Sequence, residues 1–502
     1  MSKRKKFILS GLMLTAVSMA MKTVQLALGA YISRTVGAQA IGLNSLIMTV
    51  YAFSVTLATS GISLTVTRLV AASLADSGSR GVRRTLSGAF VYSAFFGFLS
   101  FVILLLLAKP ISVWVIRDGG ASGALAILAA SLPPIALGGV ISGYFVAVRR
   151  VGKNAVLQIL GQGAKIFLTV FLLSHSDGGA VSSVRALALG STLTELFVFA
   201  IGVLLFVADT AKHGFARFAK PSMSPVMRTA LPLAFSAYVR SMLLTLEHSL
   251  IPDRLRRHKP TADRALADYG TLHGMALPAV LYPMSPLSSY AGLLVPEFAE
   301  GGKLPRLRKI ADEALCTTLG YCGILTVFMG VFAEEIGYIL YGSFDAGRYI
   351  AILAPVIPIM YLDHVADAML KGIGEQVYSM WVNIADSVLS IVLVYILLPI
   401  MGIEGYALVI ICMELFNFTL SFGRLKKRLG VGADILRAFP IPFLSALTAS
   451  ALTSLLFKDG GSSATVSYLL IKLTFALCAL YCFGRLLKAI SKRRIPASDK
   501  SR

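Results

Sequence analysis

"VRALALGSTLTELFVFAIGVLLFV" (184–207) is apolar past Arg185 except for one charge, Glu195. A helix rises 1.5 Å per residue, so a run of this length crosses the roughly 30 Å hydrocarbon core of a bilayer. The apolar residues are continuous rather than alternating, which excludes a barrel strand. The stretch is a membrane helix with an acid inside it. Its central phrase "ELFVF" (195–199) returns as "ELFNF" (414–418), 219 residues later, in a second long apolar run.

Working outward, apolar runs recur at about 7–31, 43–67, 86–108, 124–148, 155–174 and 184–207, then at 229–251, 269–295, 313–333, 349–370, 378–400, 404–422, 438–457 and 464–484. The chain has 502 residues, 56% hydrophobic and 14% charged, with a mean hydropathy of +0.77. Soluble domains carry about 25% charged residues, so this chain cannot cover itself with water-facing side chains. The sequence predicts an all-α polytopic membrane protein of about 14 transmembrane helices.

The net charge of +22 does not indicate nucleic acid, because the basic residues flank apolar segments and no nucleic-acid motif is present. The five cysteines, Cys316, Cys322, Cys412, Cys478 and Cys482, have no zinc spacing and lie in or beside apolar runs, which predicts neither a metal site nor a disulfide. The start, "MSKRKKFILSGLMLTAVSMAMKTVQLALGA", has the basic head of a secretion signal but contains Lys22 and no clear cleavage site. It is expected to stay as the first helix.

Placing the N-terminus in the cytoplasm puts 32 of the 47 Lys and Arg on that side, 11 opposite, and four (Lys22, Lys165, Arg240, Lys472) inside spans. Cytoplasmic loops carry the positive excess, so both termini are expected inside. One loop resists: "PDRLRRHKPTADR" (252–264) puts five basic residues outside, partly balanced by Asp253 and Asp263.

Other pairs share the offset of the two phrases. "VGKN" (151–154) matches "IGEQ" (373–376), Lys22 matches Arg240 at 218, and "AIGLNSL" (40–46) resembles "DYGTLHG" (268–274). A consistent offset near 220 signals internal duplication. It predicts an N-lobe (1–208), a C-lobe (221–428), an extra helix pair (432–490) and a basic tail (491–502). Six helices per lobe give both copies one orientation, related by a pseudo-two-fold axis along the membrane normal. Such lobes suggest alternating access through a central cleft, with "LPPIALGG" (132–139), "ALPAVLYPMSPLSSY" (276–290) and "LAPVIPIMY" (353–361) as candidate bends.

Charges inside spans cost about 2.5–3.5 kcal/mol each at the bilayer centre and usually face a cavity or partner. Lys22 and Arg240 sit on the first helix of each lobe and suit an anionic headgroup, with Arg34 near the outer mouth. Alternatively Lys22 pairs with Glu247 and holds the lobes. Glu195, Glu247, Asp363, Asp367, Asp386 and Glu414 are the candidate polar or coupling residues of the cleft. Lys165 and Glu195 can instead pair as structural glue. "YLDHVAD" (361–367) places Asp363 and Asp367 at i,i+4, either as a cation site or as a polar, water-lined face. Lys472 is expected to snorkel.

"GAYISRTVGAQAIGLNSLIMTVYAFSVTLATSGISLTVTRLVA" (29–71), "LEHSLIPDRL", "YGTLHGMALPAVLYP" and "LLVPEF" (246–298), and "GIGEQVYSMWVNIADSVLSIVLVYILLPIMGIEGYALV" (372–409) resemble the sporulation-type oligosaccharide flippases. These form the polysaccharide biosynthesis branch of the multidrug/oligosaccharidyl-lipid/polysaccharide exporter superfamily. The resemblance covers nearly the whole chain. It implies export of lipid-linked saccharides, including an undecaprenyl-pyrophosphate peptidoglycan precursor, across the bacterial cytoplasmic membrane. By that resemblance Lys22 and Arg34 fall where such flippases carry first-helix arginines. A further arginine position is Leu28 here, and an acid position near the second helix start is Gly42.

The expected partners are a lipid-linked saccharide, membrane lipids and envelope-synthesis proteins, with no nucleic acid and no cofactor. Competing readings are a drug/cation antiporter of the same superfamily, which would carry a first-helix acid where Lys22 stands, and a non-transporting envelope-assembly scaffold. An enzyme such as a glycosyltransferase is disfavoured by short loops.

Overall fold

Helix breaks fall where the backbone or a proline interrupts the apolar runs. In the computed structural model, residues 3–456 are described except 77, 177, 213–220, 259–261 and 433–438. The expected span at 464–484, with Lys472, Cys478 and Cys482, and the basic tail lie outside the described residues. The described elements are helical, and no strand occurs among them.

The helices are α1 Lys3–Thr59, α2 Ile62–Asp76, α3 Gly78–Pro110, α4 Ala121–Ala129, α5 Leu132–Ala147, α6 Val151–Ser174, α7 Ala180–Lys212, α8 Met223–His258 and α9 Ala262–Tyr269. They continue as α10 Leu277–Leu281, α11 Ser285–Ala299, α12 Leu304–Val331, α13 Ala333–Tyr341, α14 Phe344–Leu353, α15 Ile357–Gly372, α16 Gln376–Met401, α17 Ile403–Leu429 and α18 Pro440–Leu456. Within α1, Gly37 has φ 80°, a conformation that only glycine enters freely, and it separates two helices at that bend.

Nine described helices are long and apolar enough to cross a membrane, or up to ten when the two parts of α8 count as one span. The difference from fourteen has visible causes. Met19–Leu74 passes as a single apolar stretch although the bend at Gly37 divides it into two of the expected spans. The run 269–295 is cut into a π-helical turn (Gly270–Ala276), α10, a 3-10 turn (Tyr282–Met284) and α11. Pro278, Pro283 and Pro286 lie at these cuts, each removing a backbone donor. The apolar part of α18, Pro440–Thr453, is short.

The chain forms two compact units, Thr35–Gly270 and Met1–Arg34 with Thr271–Arg502. The strand of chain therefore changes unit beside the Gly37 bend and again at the π turn. These packing boundaries are distinct from the repeat boundaries near residues 208 and 221: the first half of α1 packs with the later helices, and α8 with the earlier ones.

In the Thr35–Gly270 unit the core gathers Ile62, Val66, Tyr92, Val140, Tyr144 and Phe145 from α2, α3 and α5. In the other unit Leu315, Val365, Ala366, Met369 and Leu425 from α12, α15 and α17 form the matching cluster. Lipid tails are as apolar as leucine, so membrane helices associate through close packing of small residues. The two cores show the same device. A Cβ on Gly143 of α5 would lie 2.6 Å from the carbonyl oxygen of Ser63 and 3.0 Å from Val66. A Cβ on Gly372 of α15 would lie 2.6 Å from Phe298 and 2.9 Å from the carbonyl oxygen of Val295. Gly143 and Gly372, and Val66 and Val295, are each separated by 229 residues.

Candidate transport site

In the unit that begins the chain, Lys22 is exposed on α1 and makes no hydrogen bond or ion pair among the described residues. Its charge reaches His364 on α15. The next residue, Thr23, shares a 2.6 Å hydrogen bond with the Tyr282 hydroxyl, tying α1 to the broken region before α11. A lone cation is thus held on a helix fixed by its neighbour. Leu28, at the further arginine position of the resemblance, is buried at 7% exposure and has no room for a charge.

Arg34 has a different setting. Its Nε donates to the Leu340 carbonyl at 3.1 Å and its Nη2 to that of Tyr338 at 3.0 Å, with a further bond to Ile339. These carbonyls end α13, where the last turn has no intrahelical donors left. The guanidinium closes that helix, and in this conformation it is occupied by protein carbonyls.

The acids of the same unit divide by partner. Asp367 pairs with Lys371 at 2.5 Å, one turn on. Asp363 interacts with Ser421 of α17 and lies within electrostatic reach of Asp386 on α16. Asn417 donates to Asp386 at 3.0 Å. The charged neighbours felt by half-buried Glu414 are Asp363 and Asp386, both acids. Three helices therefore bring three carboxyl groups together with a hydroxyl and a carboxamide. Among the described residues no set of three acids, histidines or cysteines has the geometry to hold a metal ion. The two aspartates of "YLDHVAD" thus serve different neighbours rather than converging as one ligand pair.

In the Thr35–Gly270 unit, Arg240 is exposed on α8 and makes no hydrogen bond or ion pair among the described residues. The helix around it is held by polar contacts. Tyr238 bonds to Ser60, Thr56 donates to Ser241 at 3.3 Å, and Thr245 donates to the Thr49 carbonyl at 3.4 Å. Glu247, two turns on, is half-buried and acts on Tyr269. Glu195 on α7 feels the charge of Lys165 on α6, without a direct ion pair between them. It also acts on Tyr51, which bonds to Ser131 at 2.6 Å.

Sequence reading missed a second set of charges. Lys153, at the start of α6, bonds to Asp209, near the end of α7, at 2.5 Å. Arg150 pairs with the same carboxylate, and Tyr144 donates to it at 2.8 Å. Glu375, just before α16, pairs with Arg424 at 2.8 Å and Arg428 at 2.5 Å near the end of α17. Glu375 stands 222 residues after Lys153, and Arg428 stands 219 after Asp209. The two copies keep the same helix-end clasp with its polarity reversed. The alignment of "VGKN" with "IGEQ" already contained this signal as a lysine opposite a glutamate.

The sequence profile of the polysaccharide biosynthesis proteins matches residues 8–301, more than half of the chain. The chain belongs to the polysaccharide biosynthesis protein family. The MatE profile matches residues 266–396 of this polysaccharide biosynthesis protein, from α9 into α16. Stage V sporulation protein B of Bacillus subtilis (strain 168) is 24% identical over 518 residues, covering 98% of each chain. Sporulation protein YkvU of the same organism is 20% identical over 274 residues, covering 53% of this chain and 61% of its own. Among solved structures, the inward closed form of the lipid II flippase MurJ superposes with a TM-score of 0.74 at 12% identity, covering 95% of this chain and 98% of its own. An inward-facing multidrug resistance MATE transporter gives 0.64 at 17%, covering 83% and 98%. At such identities these likenesses establish the fold. The family member described here is a multi-span, all-helical membrane transporter of this superfamily.

Proposed function

We propose that the protein flips a lipid-linked saccharide of the undecaprenyl-pyrophosphate type across the cytoplasmic membrane by alternating access of two six-helix lobes. The observation that carries this reading is the pair Lys22 and Arg240. Both are cations on the first helix of a repeat, at matching positions, exposed and without an ion-pair partner among the described residues. A cation inside a span that no protein acid neutralises suits an anionic ligand. A pyrophosphate is the part of such a lipid most costly to desolvate, and charge-assisted hydrogen bonds offset that cost. Arg34 joins the pair where the α13 carbonyls release it. The relatives named for sporulation and for lipid II flipping support the same substrate class.

The test is flipping of a lipid-linked precursor in proteoliposomes. Lys22→Arg keeps activity, because arginine binds phosphate at least as well as lysine. Lys22→Ala loses it while folding normally. A wild-type rate for Lys22→Ala overturns the headgroup role. Exchange of Lys22 and Glu247 by Lys22→Glu with Glu247→Lys leaves flipping inactive; restored flipping would show instead that the two residues only pair with each other.

The cluster of Asp363, Asp386 and Glu414 favours a second reading, a drug/cation antiporter. Carboxyl groups grouped in a membrane suit the uptake of positive charge, whether as a coupling ion or as cargo. Efflux of a cationic dye driven by a proton or sodium gradient, lost in Glu414→Gln, would support that reading. Gradient-dependent flipping of the lipid-linked saccharide, lost in the same variant, assigns the cluster to coupling.

A further inference from the structure

The loop that breaks the positive-inside pattern is not a free solvated loop. Its first half continues α8 to His258, and the basic residues it carries gather beside the end of α3. Arg117 follows a π-helical turn and has φ 58°, a left-handed conformation. It pairs with Asp253 of α8. Beneath this pair lies a crevice of about 280 Å³ between the second half of α1, the π turn and α8. Phe53, Trp114, Leu246 and Leu250 form its apolar wall, and Arg117 and Asp253 stand at its mouth. Trp114 is 80% exposed, so the crevice opens onto the surface that faces lipid. Along α8 it runs from Thr245 to Asp253, about 12 Å at 1.5 Å per residue.

The charges at the mouth do not balance. Arg256 lies in the field of Arg117, Asp253, Asp118 and Asp263, and its Nε is buried with no hydrogen-bond partner. Each of those acids is already engaged. Asp253 serves Arg117, Asp263 accepts from Gln39 at 2.8 Å, and Asp118 accepts from the Gly120 amide at 2.8 Å. Two arginines with one neutralising carboxylate leave a net cation above an apolar slot.

We propose that this crevice binds one acyl chain of an anionic glycerophospholipid, with the phosphate held at Arg256 and Arg117. The slot is too narrow for a saccharide and matches a single hydrocarbon chain lying against α8. The surplus cation matches one phosphate. Placed on the side that the charge count assigns outside, the five basic residues of the loop become part of a lipid headgroup site in the outer leaflet, rather than a lapse in topology.

The chain contains two tryptophans, Trp114 and Trp381. Trp381→Phe therefore leaves Trp114 as the sole indole reporter. The full chain is placed in nanodiscs of phosphatidylcholine containing brominated phosphatidylglycerol or, at the same mole fraction, brominated phosphatidylcholine. Bromine quenches Trp114 when the lipid occupies the crevice. The expected result is a preference for phosphatidylglycerol of roughly fivefold per arginine engaged, which falls toward parity in Arg256→Gln. Arg117→Gln also loosens the pair with Asp253, whereas Arg256→Gln leaves that pair in place, so the second variant separates ligand binding from folding. Ser249→Phe fills the crevice wall and should remove the saturable component of quenching. Equal quenching by the two lipids, or a preference unchanged in Arg256→Gln, overturns the proposal. Displacement of brominated phosphatidylglycerol by a lower mole fraction of undecaprenyl phosphate overturns the choice of occupant, and assigns the crevice to the polyprenyl carrier.

Discussion

Gly42 and Gly270 face one another in a reciprocal contact. A Cβ on Gly42 would overlap the carbonyl oxygen of Leu266, four residues before Gly270, and a Cβ on Gly270 would overlap that of Ala38, four residues before Gly42. Residues four apart share a helical face, so each helix presents the same surface to the other, as in an isologous interface. These are the glycines of "AIGLNSL" and "DYGTLHG", so the duplicated segments meet at their own equivalent positions. The contact also accounts for Gly42 where the resemblance places an acid, since no side chain fits there.

Gly42→Ala and Gly270→Ala should each lower stability by about 1–3 kcal/mol through overpacking. The double variant should lose less than the sum, because both changes force apart one contact. Gly29→Ala is the control, with nothing within 4 Å of the added carbon. Thermal melts of the purified proteins in one detergent decide it. Melts of Gly42→Ala and Gly29→Ala that coincide would show that the close approach is absent.

The two helix-end clasps should differ in strength. Asp209 is 3% exposed and serves two cations and a hydroxyl, so Asp209→Asn should cost roughly 1.5–3 kcal/mol. The pair at Glu375 lies at the solvent-facing ends of its helices and should contribute less. A loss at Glu375→Gln equal to that at Asp209→Asn would contradict this ranking.

Glu375 also sets a pH dependence. The Arg424 guanidinium foremost, then Arg428, holds its carboxyl below the ordinary glutamate value. A carboxyl lower in the folded state than in the unfolded state stabilises the fold above its unfolded value, near 4.3. That contribution disappears as pH falls through the folded value. The wild-type melting temperature should therefore fall more steeply below about pH 4 than that of Glu375→Gln, the two staying parallel at neutral pH. Parallel curves throughout the acid range would remove Glu375 from the account.

Arg34→Gln should free the end of α13, at a cost of about 1 kcal/mol for the lost interaction of a cation with a helix C-terminus. Labelling of a cysteine at Ser343, the N-cap of α14, should then speed up. Arg34→Lys, with one ammonium in place of a fork, should recover only part of the effect. An unchanged labelling rate in Arg34→Gln would show that the cap does not hold α13.

The expected topology has its own test. With both termini in the cytoplasm, cysteines at Ser2 and Ser501 should label only after the membrane of intact cells is permeabilised. Labelling of either from outside would reverse the assignment.

Membrane residence and helical content were legible in the sequence because they depend on sums over contiguous residues. An apolar run such as 184–207 must satisfy its backbone hydrogen bonds internally, whatever surrounds it. The duplication was legible too, since "ELFVF" and "ELFNF" or "VGKN" and "IGEQ" are matches along the chain. What each charge does was not. Lys22 and Arg34 read alike as cations at one end of the chain, yet Lys22 stays without an ion-pair partner and Arg34 closes α13, a helix some three hundred residues away. Asp363 and Asp367 read as one pair, yet Lys371 takes one and the α16–α17 acids surround the other. Spacing places a side chain on a face of its own helix. Which carbonyl, cation or carboxylate then meets it depends on contacts between helices far apart in the chain, and those exist only once the helices have packed.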